Sequence, residues 1–317
     1  MSSSRVPGGE LLSVYLKGFF MGAADTVPGV SGGTIALITG IYERLITAIT
    51  EFDLGVVQNV FRLHTAEGRA AFREDLLRMD VFFLAALGAG ILTAIITLSR
   101  IVEAALHNYP AFTFAFFFGL IAASAIVLYR HVNVATPGRL AVGVAGFTFA
   151  FLISGASSSG GLPNSLPFAF VAGAIAITAM ILPGISGSFL LLLMGQYQFM
   201  LGTLRAFVDG LINVARGGAI DPVVEPATTV VVFGVGAVVG LLTIAHVIRW
   251  ALSNYRAATL TFLVSLMVGA LRLPAEEVLA NGTFDSAVSV ATVVVIAVVG
   301  GAAVLMLDWY TDDLEYA

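Results

Sequence analysis

Six apolar runs along the chain are long enough to cross a bilayer core of about 30 Å as helices. They cover residues 81–106, 111–130, 139–155, 227–249, 257–273 and 287–307. Two further apolar stretches, 11–49 and 165–203, are too long for one crossing, and each is interrupted near its middle by a Pro-Gly pair, Pro28-Gly29 and Pro183-Gly184. The connection 51–79 alternates acids and arginines and reads as an amphipathic helix on the cytoplasmic surface. The pattern predicts an all-α polytopic membrane protein. No polar block is large enough for a separate soluble domain, so residues 1–317 read as a single membrane domain.

The two interrupted stretches belong to an internal duplication. Sliding the chain by 155 positions lays Pro28, Gly29, Ser31, Gly32, Leu37, Gly40 and Tyr42 over identical residues from Pro183 to Tyr197. Further on, a shift of 146 matches Gly88, Gly90, Thr97, Asn108, Tyr109 and Thr113 to Gly234, Gly236, Thr243, Asn254, Tyr255 and Thr259. Two matching stretches in the same order define two homologous halves. The first repeat is 11–155, with a broken hairpin at 11–49, the linker 51–79 and three spans; the second is 165–307, with a broken hairpin at 165–203 and three spans. Each broken stretch returns the chain to the side it came from, and the three spans between the two hairpins then invert the second half. Inverted repeats with broken helices are an architecture of secondary transporters.

Composition narrows the function classes. Hydrophobic residues make up 58% of the 317 and charged ones only 11%, far below the roughly 25% charge of soluble domains. The absence of Cys excludes disulfides and thiolate metal sites, and no metal site or cofactor is expected. A net charge of -5 argues against a nucleic-acid partner. Of the basic residues, eleven fall on one side of the expected topology and four on the other, which puts both termini in the cytoplasm and the protein in the cell membrane.

Irregular backbone at membrane depth is tolerated only where protein or a watery cavity surrounds it, so each Pro-Gly-x-Ser-Gly break is expected to line a site. Pro28 and Pro183 fit the first turn of a helix, and the segments after them are expected to present free N–H groups and a positive dipole end. Gly29, Ser31, Gly32, Gly33 and Thr34, with Gly184, Ser186, Gly187 and Ser188, then offer amides and hydroxyls suited to an anion, phosphate above all. A bland reading also stands: small residues simply allow helices to pack closely. Asp25, an acid in an apolar segment, is a candidate for proton coupling or cation coordination, or else caps a half-helix. Glu43 and Arg44 close the first broken helix as interfacial anchors or as charges that meet a phosphate headgroup. His246 is either a satisfied imidazole or, with one of the Gly-x-Ser-Gly serines, part of an intramembrane serine protease of the rhomboid kind. A channel or symporter for a small inorganic anion is the third possibility.

The run Ala24-Asp25-Thr26-Val27-Pro28-Gly29-Val30-Ser31-Gly32-Gly33-Thr34, followed by Gly40-Ile41-Tyr42-Glu43, resembles the signature of the polyprenyl-phosphate transporter family, and Leu182-Pro183-Gly184-Ile185-Ser186-Gly187-Ser188 stands where that family has its second copy. The resemblance covers essentially the whole chain. It implies return of undecaprenyl phosphate, or a related polyprenyl phosphate of the dolichyl type, from the outer to the cytoplasmic leaflet, with no enzymatic step. Its expected partners are the polyprenyl-phosphate lipid, the bilayer and a coupling ion, proton or sodium.

Overall fold

A computed structural model describes residues 8–25, 31–51, 59, 61–129, 135–155, 162–282, 284 and 286–315, and every regular element among them is helical. The first half comprises α1 (Gly8–Asp25), α2 (Gly32–Ile38), α3 (Tyr42–Thr50), α4 (Ala66–Arg78), α5 (Val81–Asn108), α6 (Pro110–Leu128) and α7 (Pro137–Ser154). The second comprises α8 (Leu166–Ile181), α9 (Gly187–Leu193), α10 (Tyr197–Ala215), α11 (Asp221–Ala270), α12 (Arg272–Asn281) and α13 (Ala287–Glu315). α11 breaks at Tyr255, which leaves the helical region with φ -138° and ψ 43°, so it is two pieces, α11a (221–254) and α11b (256–270). Among the described residues, five helical stretches are long and apolar enough to cross a membrane. The expected spans 227–249 and 257–273 are the two arms of the kinked α11.

The two halves repeat each other in detail. Tyr109, between α5 and α6, has φ -138° and ψ 52°, nearly the conformation of Tyr255. Asn108 donates to the Ala104 carbonyl, and Asn254, 146 positions later, donates to the Trp250 carbonyl. α1 crosses α5 where Gly18 lies against the Leu87 carbonyl and Gly90 against that of Tyr15. The same crossing recurs between α8 and α11a, with Gly173 against the Phe233 carbonyl and Gly236 against that of Phe170. At each of these four glycines a Cβ would overlap the neighbouring backbone, so only glycine allows the contact. A third correspondence, at a shift of 154, was not found from sequence. Gly300 of α13 meets the Phe116 carbonyl of α6, as Gly146 of α7 meets the Phe262 carbonyl of α11b.

α2 and α9 have seven residues each, so they rise only about 10 Å and leave most of the bilayer to other elements. Both end in the same tight stop. Gly40 and Gly195 take φ 73° and 68°, and the next residues, Ile41 and Gln196, donate back to the carbonyls of Ala36 and Leu191. The expected second hairpin, 165–203, therefore turns at Gly195, and its last residues already belong to α10. Of the connection 51–79, residues 52–58 and 60 lie outside the described residues. Within it, α4 carries charges at 67, 69, 73, 74, 75 and 78, while Gly68, Phe72 and Leu76, spaced four residues apart, share its less exposed side.

Candidate functional site

The interruption between α8 and α9 is a Pro-Gly turn. Ile185 N–H reaches the Leu182 carbonyl at 3.4 Å, and Gly184 at φ +82° takes the turn position that demands a left-handed residue. Pro183 therefore sits in the turn, four residues before α9 begins, and not in the first turn of the following helix as expected. The reason is that Ser186, not Pro183, is the N-cap: its Oγ accepts from Phe189 N–H at 3.4 Å and lies 3.0 Å from the Ser188 hydroxyl. Ser31 caps α2 in the same manner, accepting from Gly33 N–H at 3.2 Å. Pro28 and Gly29 lie outside the described residues.

The two interruptions meet. The Ser31 hydroxyl is directed at two carbonyls at the end of α8, those of Met180 at 3.2 Å and Leu182 at 3.1 Å. In the other direction Gly184 N–H donates to Thr34 Oγ1 at 3.0 Å. Gly33 lies so close to the carbonyls of Met180 and Ile181 that a Cβ would displace them, and Gly187 is held likewise against the Ala176 carbonyl. Ser31, Thr34 and Ser186 are buried, 1%, 1% and 5% exposed. Thus Ser31, Gly32, Gly33, Thr34, Gly184, Ser186, Gly187 and Ser188 gather at one buried junction of α2, α8 and α9. The close packing expected of small residues and the convergence expected of a site are one arrangement.

Three of the amides expected to be free have partners. Gly32 N–H donates to the Asp25 carboxylate at 2.7 Å, Gly33 N–H to Ser31 and Gly184 N–H to Thr34. Asp25 thus caps α2 and sets its carboxyl group where an external anion was expected. At the other end of α2, Lys17 Nζ donates to the Thr39 carbonyl at 2.8 Å. Sequence reasoning counted Lys17 among loop charges and missed this. The signal was its place eight residues before Asp25, on the same face of α1.

Glu43 and Arg44 are not part of this junction's bonding. Arg44 pairs with Glu10 at 2.7 Å and Asp80 at 2.6 Å and stacks over the Phe83 ring, while Glu43 pairs with Arg256 at 2.7 Å. His246 is exposed, with Nδ1 2.7 Å from the Leu242 carbonyl. The described bonds of Ser31 and Ser186 include no imidazole, so they supply no base to a serine nucleophile. Among the described residues no group of three or more His, Cys, Asp or Glu side chains is placed to hold a metal ion.

Duplicated helical halves whose short, interrupted helices bond to one another among helices long and apolar enough to cross a membrane make a multi-pass membrane protein of the kind seen in secondary transporters. A family profile for undecaprenyl phosphate translocase-like proteins matches residues 21–308, and the chain belongs to that family. It is 40% identical over 261 residues to a polyprenyl-phosphate transporter of Vibrio cholerae, covering 82% of this chain and 76% of that one. It is 30% identical over 267 residues to a polyprenyl-phosphate transporter of Staphylococcus aureus, covering 81% of this chain and 83% of that one. No solved structure matches the chain significantly.

Proposed function

We propose that this protein returns undecaprenyl phosphate, or a related polyprenyl phosphate, from the outer to the cytoplasmic leaflet of the cell membrane. The names of its relatives support the substrate class. What carries the site is the buried junction where Ser31 and Thr34 of one hairpin bond Met180, Leu182 and Gly184 of the other. A lipid phosphate must bring an anionic head through hydrocarbon while its tail stays in lipid, and an unpartnered charge there costs several kcal/mol or more. Backbone amides and hydroxyls at the junction offer replacement hydrogen bonds. Since Asp25 already sits on the Gly32 amide, the phosphate takes the place of that carboxyl group, and the junction opens to admit it. In this reading the two halves are inverted repeats, and rocking one against the other alternates access.

Release of Asp25 from Gly32 gives the ion gradient its point of action, through a proton or sodium ion taken up by the freed carboxylate. The test is a fluorescent polyprenyl phosphate in proteoliposomes, scored by its loss from one leaflet with and without a pH or sodium gradient. Wild-type protein is expected to move the lipid, and no exchange above protein-free vesicles refutes the transport reading. Asp25→Asn keeps an oxygen acceptor for Gly32 N–H and removes the charge, so it is expected to retain exchange and lose gradient dependence. Unchanged gradient dependence refutes the coupling role.

A further inference from the structure

The repeats agree in backbone, but they differ where α3 and its counterpart α10 begin. α3 is pinned by charge on both sides. Within its own half, Arg44 holds Glu10 and Asp80. Across the halves, Glu43 takes two bonds from Arg256, at 2.7 and 3.2 Å, on the far side of the Tyr255 kink. Glu51 takes Arg249 at 2.6 Å, and the same guanidinium reaches Thr50 Oγ1 at 2.8 Å. Arg78, reaching back from α4, lies 3.9 Å from Glu51. Three arginines, Arg78, Arg249 and Arg256, thus converge on Glu43 and the Glu51 cap of a nine-residue helix that touches both halves, and its own Arg44 reaches outward.

The shifts of 155 and 146 carry these acids and bases to the second half. Glu10, Glu43, Arg44 and Glu51 become Ser165, Gln198, Phe199 and Ala206, and Asp80 becomes Pro226. All five replacements line one cavity of about 780 Å³ between α8, α10 and α11a. The place that is stapled shut by ion pairs in one half is open in the other. The cavity's remaining walls include Asn164, Gly202, Thr203 and Glu225, and among the described residues no cation lines it, which suits passage of a headgroup rather than its retention.

We propose that the ion pairs of α3 are a gate that closes the arginine-rich face, and that the cavity at α10 is the matching vestibule of the opposite face, open in this state. The proposal rests on the transport reading above and adds to it which state this structure is and which side chains hold it. Each pair is part-exposed, from 26% to 61%, and exposed pairs are individually weak, so the gate is one that can open. Opening it lifts α3 from the core, where Ala48 is 2% exposed, and narrows the vestibule.

The chain has no Cys, so single cysteines report each side without background. Gly202→Cys puts a thiol in the cavity, where a Cβ meets nothing within 4 Å. Ala48→Cys puts one under α3. Labelling by a hydrophilic maleimide in detergent reads both without dependence on membrane orientation. With no further change, the thiol at 202 is expected to label fast and the thiol at 48 slowly. Adding Glu43→Arg, or separately Arg256→Glu, is expected to raise labelling at 48 and lower it at 202 by about fivefold, the population change one exposed pair supports. The charge swap carrying both substitutions restores both rates. Rates at both positions that ignore the single substitutions, or a swap that restores neither, overturn the gate. Thr203→Cys repeats the cavity measurement should the thiol at 202 disturb folding. Leaflet exchange by the unmodified protein in proteoliposomes answers the transport reading separately, since the labelling pattern stands or falls without any lipid substrate.

Discussion

Gly184 carries two burdens that can be separated by comparison with other glycines. Its φ of +82° costs an L-residue about 1–2 kcal/mol. A Cβ there would also stand 2.8 Å from the backbone of Leu266 and Met267 in α11b, and backbone has no flexible end to swing away. Overpacking of that kind costs about 1–3 kcal/mol. Gly184→Ala is therefore expected to lose about 2–5 kcal/mol, the sum of the two. Gly217 shares the conformation, φ +89°, but has open space around it, so Gly217→Ala isolates the conformational part, about 1–2 kcal/mol. Gly202, inside α10 with open space and ordinary backbone, is the control that bears neither burden: alanine there stabilises by about 0.5–1 kcal/mol through helix propensity. Equilibrium unfolding of the three variants in mixed micelles of a mild detergent and SDS measures the series. The expected order of stability is Gly202→Ala, wild type, Gly217→Ala, Gly184→Ala. Should Gly184→Ala unfold alongside Gly217→Ala, the tight seating of the second hairpin on α11b is wrong. Lipid exchange is expected to fall with Gly184→Ala beyond what lost folded protein explains, because the displaced amide is the one bonded to Thr34.

Two further substitutions test the junction and the repeat. Thr34→Val removes the acceptor of the buried Gly184 N–H and is expected to cost about 1–3 kcal/mol, whereas Thr34→Ser keeps the oxygen and most of the stability in the same unfolding assay. Gly90→Ala and Gly236→Ala are expected to destabilise alike, by about 1–3 kcal/mol each, since each would overlap an equivalent carbonyl. Gly88→Ala and Gly234→Ala, equivalent to each other and both facing open space, are expected to leave unfolding unchanged or slightly improved. Unequal effects within either pair refute the equivalence of the two crossings.

Much of this was legible because apolar length and Pro-Gly breaks act locally. The six runs marked the helices, and the match of Asn108-Tyr109 to Asn254-Tyr255 marked two equivalent positions where the helix breaks. The third correspondence escaped because α7 and α13 share little beyond Gly146 and Gly300, whose value lies in what packs on them. The bonding across the junction escaped for a different reason. Its acceptors are the carbonyls of Met180 and Leu182, which any residues would supply, so their identity carries no trace of the bond. Ion pairing at α3 was hidden by distance, with Glu43 and Arg256 213 positions apart and nothing local to choose between partners.

The repeats put the same backbone to use with different charge, and that difference bears on which hairpin moves. α1 supplies both ends of α2: Asp25 to the Gly32 amide at 2.7 Å and Lys17 to the Thr39 carbonyl at 2.8 Å, each opposing the helix dipole at its own end. Their counterparts in α8 are Met180 and Ala172, which supply neither charge, so α9 gets from α8 no such clamp. The charge-clamped hairpin lies in the half whose α3 is also stapled by ion pairs. The unclamped one adjoins the open cavity at α10. Stabilising charge therefore accumulates around α2 and α3, while α10, the counterpart of α3, borders an open cavity, and in the proposed transport cycle that imbalance lets two homologous halves hold different states at one time.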